Sequence, residues 1–351
     1  MESLDYPIYF KGSFDGLAGA FTAAGLNGGR VCLITDRNVS ELYLDEVRNK
    51  LAALNAEAFI FTPGEESKNL DVIRQIYDCF THARMDRSSV AAALGGGVAG
   101  DMAGFAAATF MRGIKYVQIP TTLLAQVDSS VGGKTGVDVG GRKNLVGAFY
   151  QPAFVYINIS VLDTLPPEQF ASGMAEAIKT ALIADKGFYR MFLANKQLIK
   201  NRDRSALLEV VKRSCRVKAS VVAEDEKEEG LRGILNFGHT FGHAVESLSR
   251  FTLPHGHCVA LGILAAMRLS LERGWINETY VDSVRELFEY FSLPVKVKGL
   301  EPEAILDQMA FDKKNKNGEI RMVLLKAAGK AVFNQSAGKE SILKAIKYIT
   351  D

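Results

Sequence analysis

The sequence predicts an N-terminal α/β domain built on a doubly wound parallel sheet, followed by a mainly helical C-terminal domain. Three observations predict this. In the first half, short β-branched and aliphatic runs alternate with segments of helical period, the pattern of parallel βαβ units. From PPEQFASGMAEAIKTALI onward the segments become long, Ala- and Leu-rich and helical, broken by charged or Pro/Gly turns. Between the two styles lies LDTLPPEQ (162–169), which sets expected domains of 1–165 and 166–351.

The elements follow in order. RVCLITD (30–36) reads as a buried strand ending in a polar residue, and AEAFIF (56–61) as a second. The loop TPGEESKN and the helical DVIRQIYDCFTHARM come next. SSVAAALGGG (88–97) is a strand running into glycines, and KYVQIPTT (115–122) and AFVYINIS (153–160) are further strands. In the helical half one late strand pair is expected, PVKVKG with EIRMVLLKAAGKAVF.

Composition narrows the function classes. Among 351 residues, 48% hydrophobic and 23% charged is ordinary for a globular protein, and a net charge of +2 gives no reason to expect nucleic acid or a membrane surface as partner. Basic residues are therefore read locally, as sites for a small acidic substrate. Cys32, Cys79, Cys215 and Cys258 are scattered without metal-knuckle spacing, which reads as reduced thiols. MESLDYPIYF lacks the basic and apolar regions of a signal peptide, and the apolar run CVALGILAAM (258–267) is half a membrane span. The expectation is a cytoplasmic protein.

Two glycine-rich turns carry chemistry. LGGGVAGDMAG (94–104) sets Gly95, Gly97 and Gly100 in G-x-G-x-x-G spacing after a strand and before a helix, where backbone N–H groups can approach a pyrophosphate. The usual acidic strand end does not follow it; Asp36 and Asn38, after the first strand, are the alternative ribose or adenine contacts. AQVDSSVGGKTGVDVGGRKNLVGAF (125–149) is not a P-loop, because Asp128 stands where its first glycine belongs. It reads as a loop holding Asp128, Lys134, Lys143 and Asn144, suited to phosphate and hydroxyl recognition.

Four of the five histidines fall in GHTFGHAVESLSRFTLPHGH (238–257). His239 and His243 share a helix face; His255 and His257 flank Gly256 at the start of the next helix. Two of them plus Glu176, an acid inside the apolar helix SGMAEAIKTAL, would make a three-ligand metal site with open positions. Spacing leaves a hydrogen-bonded helix corner equally open and does not say which two histidines ligate. AEDEKEEG (223–230) reads as a solvated turn with no chemistry.

Six stretches, GGGVAGDMAGFAAATFMRG, QIPTTLLAQVDSSVGGKTGV, RKNLVGAFYQP, GMAEAIK, EDEKEEGLRGILNFGHTFGHAVE and PHGHCVALG, resemble the 3-dehydroquinate synthases in order and spacing across most of residues 30–320. These are sugar-phosphate cyclases of the shikimate pathway. The resemblance implies a Rossmann-like domain and a helical metal-binding domain, NAD and a divalent metal (zinc or cobalt) as cofactors, and a homodimer. The implied reaction converts 3-deoxy-D-arabino-heptulosonate 7-phosphate to 3-dehydroquinate and phosphate. It runs by transient oxidation, β-elimination of phosphate, re-reduction, ring opening and aldol closure.

Carried over motif by motif, the resemblance implies Glu176, His239 and His255 as metal ligands, His257 as a bystander and His243 as an acid–base residue. It implies Asp128, Lys134, Asn144 and Lys179 as further catalytic groups, with Lys143, Lys218, Arg232, Asn236 and, from DKKNKNG, Lys313 on the substrate. Arg112 resembles the arginine lent across the dimer to the substrate phosphate. For NAD it implies Asp36, Asn38, Glu65, Lys68, Gly96, Gly97, Val98, Asp101, Thr121, Thr122 and Thr164. GGRKN, where the family often reads PLGKN, is a departure. Rival readings are a cyclase acting on sedoheptulose 7-phosphate or glucose 6-phosphate, a metal-dependent polyol dehydrogenase, and a non-catalytic NAD sensor.

Overall fold

The computed structural model describes residues 4–228, 230–250, 252–310 and 319–350. It divides into two compact units, 1–165 and 166–351.

Unit 1 contains the strands β1 (Ile8–Lys11), β2 (Val31–Asp36), β3 (Glu57–Phe61), β4 (Val90–Gly95), β5 (Lys115–Pro120), β6 (Lys134–Val139), β7 (Arg142–Phe149) and β8 (Val155–Asn158). Its helices are α1 (Leu17–Ala23), α2 (Arg37–Val39), α3 (Asp45–Lys50), α4 (Leu70–His82) and α5 (Gly97–Thr109). Six strands form one parallel sheet in the order β1-β8-β5-β4-β2-β3. The chain runs outward from β2 to β3 and then returns to β4 on the other side of β2. This makes the carboxyl ends of β2 and β4 the topological switch point, where open α/β sheets take their ligands.

β4, VAAALG, is buried along its whole length, as a central strand covered on both faces requires. α5 is buried nearly all round, and small residues let it lie close to its neighbours. A Cβ on Gly100 would stand 2.6 Å from Gln118 Oε1, and one on Gly104 2.3 Å from Thr135 Cγ2. The five strands expected in this half form within a residue or two of their expected bounds. β1 escapes sequence reading because IYFK is too short for alternation to show. Residues 134–149 form an antiparallel hairpin, not a loop; Gly140 and Gly141, at φ 59° and 72°, make the two-residue turn that joins β6 to β7. Cys32 and Cys79, distant in sequence, place their thiol sulfurs 3.7 Å apart.

Unit 2 comprises α6 (Pro167–Ala184), α7 (Lys186–Lys200), α8 (Arg204–Glu224), α9 (His239–Leu248), α10 (His255–Glu272), α11 (Glu278–Tyr290), α12 (Pro302–Ala310), the strands β9 (Met322–Ala327) and β10 (Lys330–Gln335), and α13 (Lys339–Thr350). The run CVALGILAAM is the middle of α10, buried from Cys258 to Met267, so its apolar character belongs to a core helix. No described helix is long and apolar enough to cross a membrane. PVKVKG is not a strand; the late pair is β9 with β10, an antiparallel hairpin inside the second segment alone. Val297 is buried and its N–H bonds to the Ile349 carbonyl, so packing against α13 takes the place of a ladder.

Candidate functional site

Three helices of unit 2 bring the histidine cluster together, and glycines decide how closely. Gly256, the second residue of α10, lies against α6 so tightly that a Cβ would be 2.1 Å from the Ser172 carbonyl. Its N–H donates to Ser172 Oγ at 3.0 Å. Gly262 of α10 leaves no room for a Cβ against the Gly238 carbonyl, 1.9 Å away, and Gly238 takes φ 80° to start α9. The first residues of α9 and α10, His239 and His255, thereby face Glu176 on α6.

His239 Nε2 and His255 Nε2 stand 3.7 and 3.5 Å from Glu176 Oε1, and the two rings lie 5.4 Å apart. One ligand atom from each of the three residues lies within 4.8 Å of the others. Each histidine engages its other nitrogen elsewhere. His239 Nδ1 is 3.2 Å from the Phe237 carbonyl, and His255 Nδ1 is 3.5 Å from Glu246 Oε1. With the proton kept on Nδ1 and lost from Nε2, each ring would turn a lone pair toward the common space, the arrangement metal-ligating imidazoles use.

Glu176 is 1% exposed. Lys179, 2% exposed and one turn on, sets its ammonium 2.5 Å from Oε2. Burial would raise the Glu176 pKa; Lys179 and His255 outweigh it and hold the carboxyl down to about 2. His239 is pushed well down by burial and by Lys179, His243 and His255. Burial pulls His255 down too, but Glu176 and Glu246 carry it up to about 9. A buried anionic carboxylate facing two imidazole Nε2 atoms fits a zinc- or cobalt-like divalent ion. A second group with cation-holding spacing, His243, Glu246 and His255, shares His255. There Glu246 faces the nitrogen opposite the one turned to Glu176.

His243 is exposed, with its ring 5.2 Å from His239 and 6.0 Å from His255, beside the three and not one of them. His257 belongs to neither group, and burial lowers its pKa. Lys218, 9% exposed, sits on α8, and Arg232 and Asn236 on the 3₁₀ stretch Leu231–Asn236. AEDEKEEG is more than a solvated turn: Asp225 Oδ2 accepts from Gly230 N at 2.8 Å and Arg232 N at 2.9 Å. Glu226 accepts from the Arg232 guanidinium through its carbonyl, and Glu228 from the Asn236 amide. Sequence reading also passed over Glu246, although the signal that picked out Glu176, an acid in an apolar helix, applies to it equally.

In unit 1 the expected dinucleotide contacts gather at the switch point. Asp36 ends β2 and caps α2, accepting from Val39 N at 3.1 Å, with Asn38 in the same turn. Gly96 is the N-cap of α5, so Gly97 and Val98 offer N–H groups at its N-terminus. Thr121 and Thr122 follow β5, the next strand over, and the Thr121 hydroxyl is buried without a partner. Thr164 already shares hydrogen bonds with Tyr43 and the Val161 carbonyl. Lys68, 5% exposed, reaches Asp101 at 2.7 Å, Glu65 at 3.5 Å and Asn144 Oδ1 at 2.6 Å. Burial lowers its pKa, but Asp101 and Glu65 outweigh that and leave it raised. Open backbone at a helix N-terminus with an orphaned hydroxyl alongside fits a dinucleotide.

Asp128 lies in the π-helical turn Ala125–Ser129, Lys134 opens β6, and Lys143 and Asn144 begin β7. Arg112 is exposed on the 3₁₀ turn Phe110–Arg112, at φ 67°. Lys313 lies outside the described residues.

Sequence models described as 3-dehydroquinate synthase N-terminal and C-terminal match residues 58–172 and 173–315. A 3-dehydroquinate synthase of Acetivibrio thermocellus is 44% identical over 348 residues, covering 99% of this chain and 96% of the relative. Among solved structures, 2-epi-5-epi-valiolone synthase of Streptomyces hygroscopicus with NAD+ and Zn2+ bound superposes with TM-score 0.89 at 26% identity, covering 99% of this chain and 97% of that one. A 2-deoxy-scyllo-inosose synthase complexed with carbaglucose-6-phosphate, NAD+ and Co2+ gives 0.85 at 25%, covering 97% and 95%.

Proposed function

The chain belongs to the 3-dehydroquinate synthase family, and from that premise we propose how its own residues carry out the family's reaction. It is a lyase that converts 3-deoxy-D-arabino-heptulosonate 7-phosphate to 3-dehydroquinate and phosphate. NAD+, when bound, would supply reversible hydride chemistry, and a divalent ion, zinc or cobalt, would supply Lewis acidity. The observation that carries the reading is Glu176, a buried anion whose Oε1 stands 3.7 and 3.5 Å from the Nε2 atoms of His239 and His255.

Glu176, His239 and His255 would hold the ion. Glu65, Lys68, Asp101, the Gly96–Val98 backbone, Thr121 and Thr122 would hold the dinucleotide, with Asp36 and Asn38 on its ribose or adenine side. The Thr164 hydroxyl is taken up by Tyr43 and Val161, which leaves its methyl and backbone as contacts. Lys134, Lys143, Lys179, Lys218, Arg232 and the partner subunit's copy of the Arg112 position would bind the substrate's phosphate and carboxylate. Their charge stabilises the leaving phosphate as its own charge develops. Asp128, Asn144 and Asn236 would orient the hydroxyls. His243, exposed beside the ligands, would hand protons to and from the substrate oxygens, while the phosphate itself accepts the C6 proton.

The same reading makes the enzyme a cytoplasmic member of the shikimate pathway and a homodimer. Exposed Met111, Leu145 and Phe149 in the unit that carries Arg112 give the dimer apolar surface to cover. Light scattering tests that state.

Phosphate release decides the function. It is measured from 3-deoxy-D-arabino-heptulosonate 7-phosphate and from sedoheptulose 7-phosphate, each with and without NAD+ and a chelator. Release from the first alone, dependent on metal and on catalytic NAD+ with no NADH build-up, is the expected result. Release from the second alone would move the chain to the other sugar-phosphate cyclases. NADH accumulating on a simple polyol would make it a dehydrogenase.

A further inference from the structure

The β6–β7 ladder is interrupted at one place. Val137 pairs with Val146 and Val139 with Arg142, so a single residue of β6, Asp138, faces three of β7: Lys143, Asn144 and Leu145. A bulge of this kind withdraws backbone N–H groups from the ladder, and each then needs another acceptor. Asn144 N–H finds Asp138 Oδ1 at 2.7 Å, with Asn144 at φ 50°, a left-handed conformation asparagine tolerates better than most residues.

The bulge is also tied to a third element. Asp138 N–H donates to the Lys68 carbonyl at 2.8 Å, and Lys68 Nζ donates to Asn144 Oδ1 at 2.6 Å. Lys68, Asp138 and Asn144 thus close a ring of three hydrogen bonds. The same buried ammonium reaches Asp101 in the second turn of α5. The negative charge of Asp138 adds to those of Asp101 and Glu65 in favouring the charged lysine against burial.

We infer that Asp138 is a positioning residue: it holds Lys143 and Asn144 in their bulge and fastens that bulge to Lys68, so that dinucleotide and substrate occupancy are coupled through one lysine. The roles of Lys68, Lys143 and Asn144 rest on the functional reading above. The ring of hydrogen bonds does not. Asparagine at position 138 keeps an oxygen where Oδ1 stands, whereas alanine removes the acceptor, so the two substitutions separate positioning from charge.

The test compares wild type, Asp138→Ala and Asp138→Asn. Two readouts are taken: amide hydrogen exchange at Asn144 without ligands, and the NAD+ Kd with and without a carbocyclic phosphonate analogue of the substrate. In wild type the analogue should tighten NAD+ by about fivefold or more. In Asp138→Ala that factor should fall to within about twofold of none, Asn144 should exchange at least about tenfold faster, and kcat should fall more than KM rises. Asp138→Asn should recover most of the coupling and the slow exchange. Coupling retained in Asp138→Ala, or lost equally in Asp138→Asn, overturns the inference. A merely structural acceptor would alter exchange and leave the coupling factor unchanged, which also overturns it. If Asp138→Ala does not melt cooperatively, Asp138→Ser, whose hydroxyl stops short of the Oδ1 position, replaces it with the same expectations. A wild type inactive on 3-deoxy-D-arabino-heptulosonate 7-phosphate refutes the functional reading, whereas unchanged exchange at Asn144 in Asp138→Ala refutes the positioning one.

Discussion

Unit 1 gathers its candidate site at strand ends and a helix N-terminus, where the main chain does most of the presenting; unit 2 gathers its site from side chains on three helices. The glycines follow the difference. In unit 1, Gly96 and Gly97 leave backbone N–H groups open at the start of α5. In unit 2, Gly256 and Gly262 bring whole helices close enough for the candidate ligand side chains to meet. A main-chain site survives most side-chain changes, because its donors remain. A site of buried charged side chains does not, since removing one partner leaves another charge uncompensated. Unit 2 is therefore expected to be the brittle half.

The largest expected effect tests that brittleness directly. His255→Ala should lose bound metal and reduce phosphate release by about a thousandfold or more, because several kcal/mol of Lewis-acid stabilisation go with the ion. His257→Ala, next but one in the chain, should keep most of both. Elemental analysis and the phosphate assay read the pair, and swapped outcomes would make His257 the ligand.

Glu246→Gln comes next. It weakens the grip on His255 Nδ1 while sparing all three candidate ligands, and should cost about 10- to 100-fold in metal affinity by chelator competition. NAD+ affinity should not move. A change in NAD+ affinity instead would break the division of labour between the units.

Lys68→Met sharpens the comparison from the other side. It removes the ammonium from Asp101, Glu65 and Asn144 and should weaken NAD+ by about tenfold, worth ~1.4 kcal/mol, with metal content unchanged. Full NAD+ affinity in this variant would mean that the backbone at α5 does all the holding.

The smallest expected effect is alkaline. The folded-state pKa of Lys68 is raised above its ordinary 10.5, so its contribution to stability is complete below that value and is lost only as pH rises through the raised one. Thermal melts of wild type should therefore lose stability more steeply above pH 10.5 than those of Lys68→Met. Parallel curves would show that Lys68 is not held as a cation by its acids.

What could be read in advance follows the same contrast. Strands β2, β4, β5 and β8 were legible because buried parallel strands are continuous apolar runs, bounded here by glycine and polar turns, and the edge strand β3 because AFIF is an apolar run although much of it is exposed. The β6–β7 hairpin was not, because its glycines and lysines carry no alternation. The signal that was available, Gly140-Gly141 as a two-residue turn, is a matter of φ and not of hydrophobicity. PVKVKG alternates like a strand, but packing against α13 overrides the pattern. Glu176 announced itself as an acid in an apolar helix. Glu246 carried the same mark and needed the His255 ring beside it to acquire a meaning.

The sequence by itself determined the two-part architecture and the family, and it offered the candidate residues for cofactor and metal. These are local patterns of periodicity, glycine spacing and motif, and they exist before the chain folds. Only tertiary structure decided that His239 and His255 turn Nε2 toward Glu176, that Glu246 backs His255, and that Asp138 ties Asn144 to Lys68. Those facts depend on how far helices approach and where a ladder skips a residue. Distances of that kind are set by packing between segments as far apart as Ser172 and Gly256, 84 positions, and no local pattern encodes them.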